Sequence, residues 1–409
     1  MESPKATLMN SDNEDEVVVN RINMIGNGFD MAHGLKSSFK DFIGNYLISI
    51  IEIFIDKKVY SDILIQINEK LDKQETPMAY SYEELLGVDK SDPEDCFLKF
   101  NRLIKKYASI NWASLFFKNT YDNIENFGWV DIEVVYFDLL KKSFQNSDVK
   151  DARKDINSLN SELEFLKDKL IDYLRKEQNK LKKKPYKPLL EQLKSNIRGI
   201  DCIDKIIEKD KSQVPNHTFF LNFNYTKIAQ IYRDQYKFSE EIYYTYSSHD
   251  PHYKESSTMN YIHGCIKEGQ PPIFGFGDEM DKDYKTFENY KIDEAFDHIK
   301  SFKYLESDSY RRLLEFMDGH PFQVQIFGHS CGISDRTMLN TIFEHENCIS
   351  IKSYYYETEL ENDFTRKNFS IARHFEDKKM LRKKVVNFEL CDPMKQPDKK
   401  YKDEIIIKE

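Results

Sequence analysis

Apolar positions along this chain follow two periods, and the change between them divides it. Val17–Ile25 is a short run rich in β-branched residues, interrupted by Asn20, Arg21 and Asn23, and it stops abruptly at Gly26-Asn27-Gly28. That pattern predicts a strand closing on a turn. A helical spacing follows from near Ser37 or Ser38, with Phe39, Phe42, Ile43 and Leu47 on one face. From about Asn45 to Pro215 helical spacing dominates and strand signals are few. Within that stretch Ile156, Leu159, Leu163, Leu166, Leu170 and Tyr173 recur at alternating steps of three and four. They form a narrow apolar seam on a charged helix, as expected of a helical hairpin packed on itself or on a partner protomer. Lys182–Pro188, with its two prolines, ends the helix.

Strand character returns after residue 215, in Thr218–Phe223, Asn260–His263, Gln323–Phe327 and Cys348–Tyr356. Helical segments, including Tyr310–Met317 and Arg336–His345, separate several of these runs. Such alternation predicts an α/β fold with a mainly parallel sheet flanked by helices. The first strand must then join the sheet from far away, which makes the helical block a long insertion after the first βα unit. The expected division is a disordered leader at 1–16, a core formed by 17–44 and 216–390, a helical insertion at 45–215 and a C-terminal tail at 391–409.

Mean hydropathy of −0.66 would by itself suggest disorder, but 29 Phe and 25 Tyr supply bulky apolar surface that a disordered chain lacks. The net charge of −10 argues against a protein built to grip a phosphate backbone. The six cysteines form no CxxC pair and read as reduced thiols of a cytoplasmic protein. The most apolar early run, Tyr46–Ile55, is short and carries Glu52, so no spanning helix is expected.

Ligands of open α/β sheets bind beyond the carboxyl ends of the strands, so the residues after each expected strand are the candidates. After the first come Gly26, Asn27, Gly28, Phe29 and Asp30, where glycines allow close backbone approach to a phosphate; a tight strand-to-helix turn explains them equally well. After the second come Asn224, Tyr225 and Thr226, where a carboxamide can orient a water or a ribose hydroxyl, or an Asn can cap a helix. After the third comes His263, a candidate general base or ribose contact. After the fourth come Gly328, His329 and Ser330, with Asp335 as a ribose contact or an N-cap. Asp131 and Glu133 stand two apart and are expected to be a solvated pair. No metal-ligand spacing is present.

Ile25–Asp30 with Gly34-Leu35 and Phe39–Phe42, Trp129–Glu133, Phe223–Thr226, Ile262–Gly264, and Phe327–Ser330 with Asp335 together resemble the bacterial abortive-infection AbiH family. The resemblance implies a role in defence against bacteriophage. At greater distance the same order resembles the sirtuin-like NAD-binding superfamily, which implies a Rossmann-like sheet. It implies Asn224 and His263 as catalytic residues, and Gly26, Gly28, Gly328 and Ser330 as cofactor-cradling positions. Thr226 stands where that superfamily has Asp, and its four-cysteine zinc module is missing, so no protein deacylase is expected.

Together these readings anticipate hydrolysis of NAD⁺ to nicotinamide and ADP-ribose without metal. Asn224 would place the water and His263 would serve as base. Residues 26–30, Tyr225, Thr226, Gly328–Ser330 and Asp335 would hold the nucleotide. The alternatives are a non-enzymic NAD or ADP-ribose sensor signalling through the helical insertion, and an RNA-targeting effector using Lys182–Lys187 and the Asp131/Glu133 pair. The seam at Ile156–Tyr173 is a candidate for homo-oligomerisation or regulation, which a helix buried within the same chain explains almost as well. The phage-derived trigger is unspecified, and neither membrane nor nucleic-acid binding is anticipated.

Overall fold

The computed structural model describes residues 17–405 apart from 71–84, 86, 88–91, 128–130, 145–147, 182–183, 204–205, 236–255, 267–270, 278, 280 and 282–283. The expected leader, Trp129, Lys182 and Lys183 therefore lie outside the described residues.

Ten strands are described: β1 (Asn20–Ile25), β2 (Val59–Ser61), β3 (Ile65–Glu69), β4 (Ala108–Trp112), β5 (Ile197–Arg198), β6 (Ser212–Gln213), β7 (His217–Asn222), β8 (Ser256–Tyr261), β9 (Phe322–Phe327) and β10 (Cys348–Tyr354). The principal sheet has the order β10-β9-β1-β7-β8, and every pair in it is parallel. β1 is thus central although more than 190 residues separate it from β7 in the chain, as Arg21 opposite Thr218 shows. From β1 the chain order runs outward to β7 and β8 on one side and to β9 and β10 on the other. The reversal between β1 and β9 is a topological switch point, the place where open α/β sheets leave a crevice.

Both faces of this sheet are covered, which is why its strands do not simply alternate apolar and polar. Ile22, Met24, Phe219, Leu221, Val324, Ile326 and Ile351 pack on one face under helices Ser309–Gly319 and Arg336–Glu344. The other face carries Ile25, Phe220, Phe327 and Tyr354 beside a buried polar row that includes Arg21, Asn23, Thr218, Gln325 and Lys352. Leu193, Ser195 and Asp201 satisfy part of that row. Arg21 donates to the carbonyl of Ser195 and to Thr218, Asn23 donates to Leu193 O, and Lys352 lies 3.4 Å from Asp201. The polar residues that interrupt the first strand hold this segment against the sheet.

Helix α1 (Asn27–Ala32) follows β1 directly. Helix α2 (Phe39–Lys57) opens with a capping box in which Ser38 and Asp41 satisfy each other's backbone amides. It runs into the block, which continues through α3 (Pro93–Arg102), α4 (Leu115–Phe127), α5 (Ile132–Ser143) and α6 (Val149–Asn179). The block also holds short strands that helical spacing did not announce. β2, β3 and β4 form an antiparallel sheet, and β5 pairs with β6. The signal was present in Ile65 and Ile67, buried between exposed Gln66 and Asn68, but five residues amid helical spacing are easily overlooked.

Of the two packings expected for the α6 seam, on the chain itself or on a partner protomer, the first is the one observed. All six residues of the α6 seam are buried within this chain, in one cluster with α2, α4 and α5 residues. The seam therefore offers no surface to a partner protomer, and the reason to expect a homo-oligomer there is gone. Near the C-terminus, helix Lys399–Ile405 docks with Tyr401 against Tyr186 and His33, and the Tyr401 hydroxyl donates to Lys184 O. Among the described residues no helix is long and apolar enough to cross a membrane.

Phe274, Phe276, Tyr284, Phe287, Ile292, Ala295 and Ile299 belong to the block's hydrophobic cluster rather than to the sheet's. Phe137 of α5 stacks on Phe276 with ring centroids 3.9 Å apart. The chain after β8 thus returns to the block before forming the rest of the core. That detour brings block residues to the carboxyl ends of the strands.

Candidate active site

The loops after β1 and β9 meet across the switch point. Gly26 N donates to Phe327 O (3.0 Å), Gly28 N to Gly328 O (2.8 Å) and Phe29 N to Gly26 O (2.9 Å). Gly328 has φ 66°, and a Cβ there would collide with the Phe29 amide. A Cβ on Gly28 would stand 2.9 Å from Gly328 O, and one on Gly26 would strike the His329 backbone. The glycines are required because two backbones cross in contact. These three amides, assigned to a pyrophosphate from sequence, bond within the chain. Asn27 faces outward and exchanges hydrogen bonds with Ser37. Ser330 is exposed.

After β7 the chain folds around its own side chains. Asn222 donates to the carbonyls of Asn224 (3.2 Å) and Thr226 (3.3 Å) and accepts from Asn224 N. Asn224 is no helix cap, since the next helix begins at Ile228 with Lys227 preceding it. Its Nδ2 donates to Gly26 O (3.0 Å). Thr226 donates to Asp30 Oδ2, and Asp30 Oδ1 is buried without a partner. Burial pushes the Asp30 carboxyl up to about 7, against the opposing bonds from Thr226 and Asn224. Tyr225 turns the other way, its hydroxyl donating to Ile273 O at 2.8 Å.

His263, two residues past β8, is buried against Phe223, its ring centroid 5.2 Å from that ring. Its Nε2 lies 3.1 Å from Asp335 Oδ1 and 3.2 Å from the Tyr304 hydroxyl. Asp335 precedes helix Arg336–Glu344 but makes no capping bond. Its carboxylate turns inward, where Lys300 Nζ approaches Oδ1 at 2.8 Å. Lys300 also reaches Glu133 Oε2 at 2.7 Å, while Gly275 N donates to Glu133 Oε1 at 3.0 Å. The Lys300, Asp335 and Glu133 side chains are 1, 9 and 10 % exposed.

The electrostatics follow from this burial. Desolvation raises Glu133 to about 7 despite Lys300 beside it. Burial would also raise Asp335, yet Lys300 and then His263 hold it well below the usual carboxylate range. Burial would depress the Lys300 ammonium, but Asp335 and Glu133 outweigh it and hold its pKa above normal. Burial, seconded by Lys300, depresses His263 and so favours its neutral form, the form able to accept a proton. Asp131 caps α5 by accepting from the amides of Glu133 and Val134, and burial raises its carboxyl.

His329 lies beneath this group, 3.8 Å from Asp335 Oδ2 and with its ring centroid 4.2 Å from that of Phe223. Burial depresses it to about 3. Above Asp335 opens a cleft of about 280 Å³ lined by Gly277, Ser301, Tyr304, Leu305, Tyr310 and Thr337, among others. Asp335 and Tyr304, the two side chains that touch His263 Nε2, both line it.

The ends of β1, β7, β8 and β9 therefore bring Gly26, Gly28, Asp30, Asn224, Thr226, His263, Gly328, His329 and Asp335 into one contiguous contact network. Asn27, Ser330 and Tyr225 stand outside its centre. Sequence reading missed Lys300, which sits in no motif. It also took Asp131 and Glu133 for a solvated pair, whereas Glu133 is buried and Asp131 half-buried, because two residues at a helix start show no outward sign of burial.

No curated protein and no solved structure matches this chain. The family described as Bacteriophage abortive infection AbiH matches residues 22–357, a span that includes every member of the network. The chain belongs to the bacteriophage abortive infection AbiH family.

Proposed function

We propose that this chain acts in abortive infection by hydrolysing NAD⁺ to nicotinamide and ADP-ribose. The observation that carries the reading is the contact of His263 with Asp335, and of Asn224 with Gly26, at the carboxyl ends of strands of one parallel sheet that contains a reversal of strand order. That is where Rossmann-like sheets, the sirtuin-like superfamily among them, take nucleotides.

In the proposed reaction the C1′–N bond breaks and its electron pair neutralises the pyridinium nitrogen. A water oxygen bonds C1′ and releases one proton. Neutral His263 accepts that proton, and Asp335, with its carboxylate at Nε2, stabilises the imidazolium that results. Asn224 orients the water or a ribose hydroxyl. Asp30, held by Thr226, contacts the nicotinamide carboxamide or a ribose hydroxyl. In this reading the reacting end enters the cleft that Asp335 and Tyr304 line, and His263 acts from behind those two side chains. Since the amides of Gly26, Gly28 and Phe29 bond within the chain, the glycine loops keep the crevice in shape rather than cradle phosphate.

Purified protein incubated with NAD⁺, alone and with phage lysate, tests this by chromatography of the products. Equal amounts of nicotinamide and ADP-ribose are expected; intact NAD⁺ under both conditions overturns hydrolysis.

One observation favours a second reading, a non-enzymic NAD or ADP-ribose sensor. The cleft of about 280 Å³ lies just below the usual range for ligand pockets and suits one ring system better than a whole dinucleotide. Calorimetry that finds saturable ADP-ribose binding without turnover of NAD⁺ selects the sensor.

A further inference from the structure

Lys300, which touches Asp335, and Glu133, which touches Lys300, come from parts of the chain that the proposed reaction does not use. Glu133 begins α5 in the block, and Lys300 lies at the end of the segment that packs on the block. Both are buried, and Asp335 Oδ1 is shared between Lys300 and His263. Stability alone is a poor account of such an arrangement. A buried ion triad usually gains little over well-packed apolar side chains of similar volume, whereas clustered buried charges are characteristic of functional sites. The geometry is also specific: Gly275 N fixes one Glu133 oxygen, Lys300 fixes the other, and Lys300 then meets Asp335 on the oxygen that faces His263.

We infer that Glu133 and Lys300 are positioning residues of this site, holding the Asp335 carboxylate against His263, so that the helical block completes the site. The inference rests on the reading of His263 as the acting group. It makes the block's packing a condition of the site's charge state: a shift of α5 that withdraws Glu133 leaves Lys300 to act on Asp335 and His263 alone.

The test is a pH titration of the His263 ring by NMR on the full chain, with its resonance assigned as the one lost in His263→Gln. The charged and titratable groups facing this ring are Asp335, Lys300, Tyr304 and His329. Lys300 opposes the imidazolium directly and also neutralises Asp335, which would favour it. Lys300→Met should therefore raise the His263 midpoint by about one pH unit or more, and Lys300→Arg, which keeps the charge, should leave it near wild type. Glu133→Gln, which keeps the Gly275 bond on Oε1, turns an amide N–H toward Lys300 and removes that ammonium's second acceptor whatever the protonation of Glu133. Lys300 then bears on Asp335 and the imidazolium alone, and the midpoint should fall. This variant supplies the answer if Lys300→Met does not fold.

Midpoints unmoved by Lys300→Met and Glu133→Gln, or moved equally by Lys300→Met and Lys300→Arg, overturn the inference. NAD⁺ turnover is followed in the same samples. Shifted midpoints without turnover in wild type leave the positioning role standing and remove the hydrolase. Turnover with unshifted midpoints does the reverse.

Discussion

Asp335 Oδ1 stands 3.1 Å from Nε2 of His263, and Lys300 Nζ approaches the same oxygen at 2.8 Å. One carboxylate therefore orients the imidazole and balances a buried ammonium. Asp335→Asn keeps the shape but withdraws the charge from both. Loss of one partner from a buried pair typically costs about 3–5 kcal/mol, and Glu133, still on Lys300, should place this variant near the lower end. Urea denaturation measures it; an unchanged midpoint would contradict the buried pairing.

The two glycine loops make a steric prediction with an internal control. Gly328→Ala imposes a left-handed backbone conformation and a clash with the Phe29 amide, so a loss above about 2 kcal/mol is expected. Gly319, at the end of helix Ser309–Gly319, has open space around a Cβ. Gly319→Ala should be neutral or slightly stabilising. Equal thermal midpoints for the two variants would refute the crossing of the loops.

Asp30 sets a pH dependence of defined sign. Its carboxyl is raised in the folded state from 3.8 to about 7, so between these values the native state holds a proton that the unfolded state has lost. Stability from this group is full below the unfolded value and falls as pH rises through 7. Asp30→Asn removes that fall. Its stability relative to wild type should improve by on the order of 2 kcal/mol between pH 5 and pH 8, as read from urea midpoints. A pH-independent difference would mean that Asp30 is ionised throughout.

Leu163, in the middle of the α6 seam, is fully buried within the chain. Leu163→Ala should cost about 2–5 kcal/mol of unfolding free energy and leave the mass of the folded particle equal to wild type by mass photometry. A drop in mass with little loss of stability would return the seam to an intermolecular role.

The parallel sheet was legible in the sequence because its strands end on turn residues, and the observed bounds differ from the expected ones by a few residues. The distant pairing of β1 was legible too, since that strand had no neighbour nearby in the chain to pair with. The return of Phe274, Phe276, Phe287 and Ile299 to the block was not, because such side chains look alike whether they pack on a sheet or on a helix. Within the site, His263, Asn224 and Asp335 stood out by their place after strands. Asp335 was expected at a cap or a ribose, but its carboxylate turns to Lys300, a contact that only tertiary structure creates. Glu133 was misjudged because burial of a carboxylate depends on a distant ammonium and leaves no local trace.

The most direct measurement for the whole account is nicotinamide release from NAD⁺ by wild type, Asn224→Ala and His263→Ala, each first shown to be folded. The account expects release by wild type, with phage lysate supplied if a trigger is needed, and a fall of about a hundredfold or more in His263→Ala and Asn224→Ala. Undiminished release by a folded His263→Ala protein would contradict it.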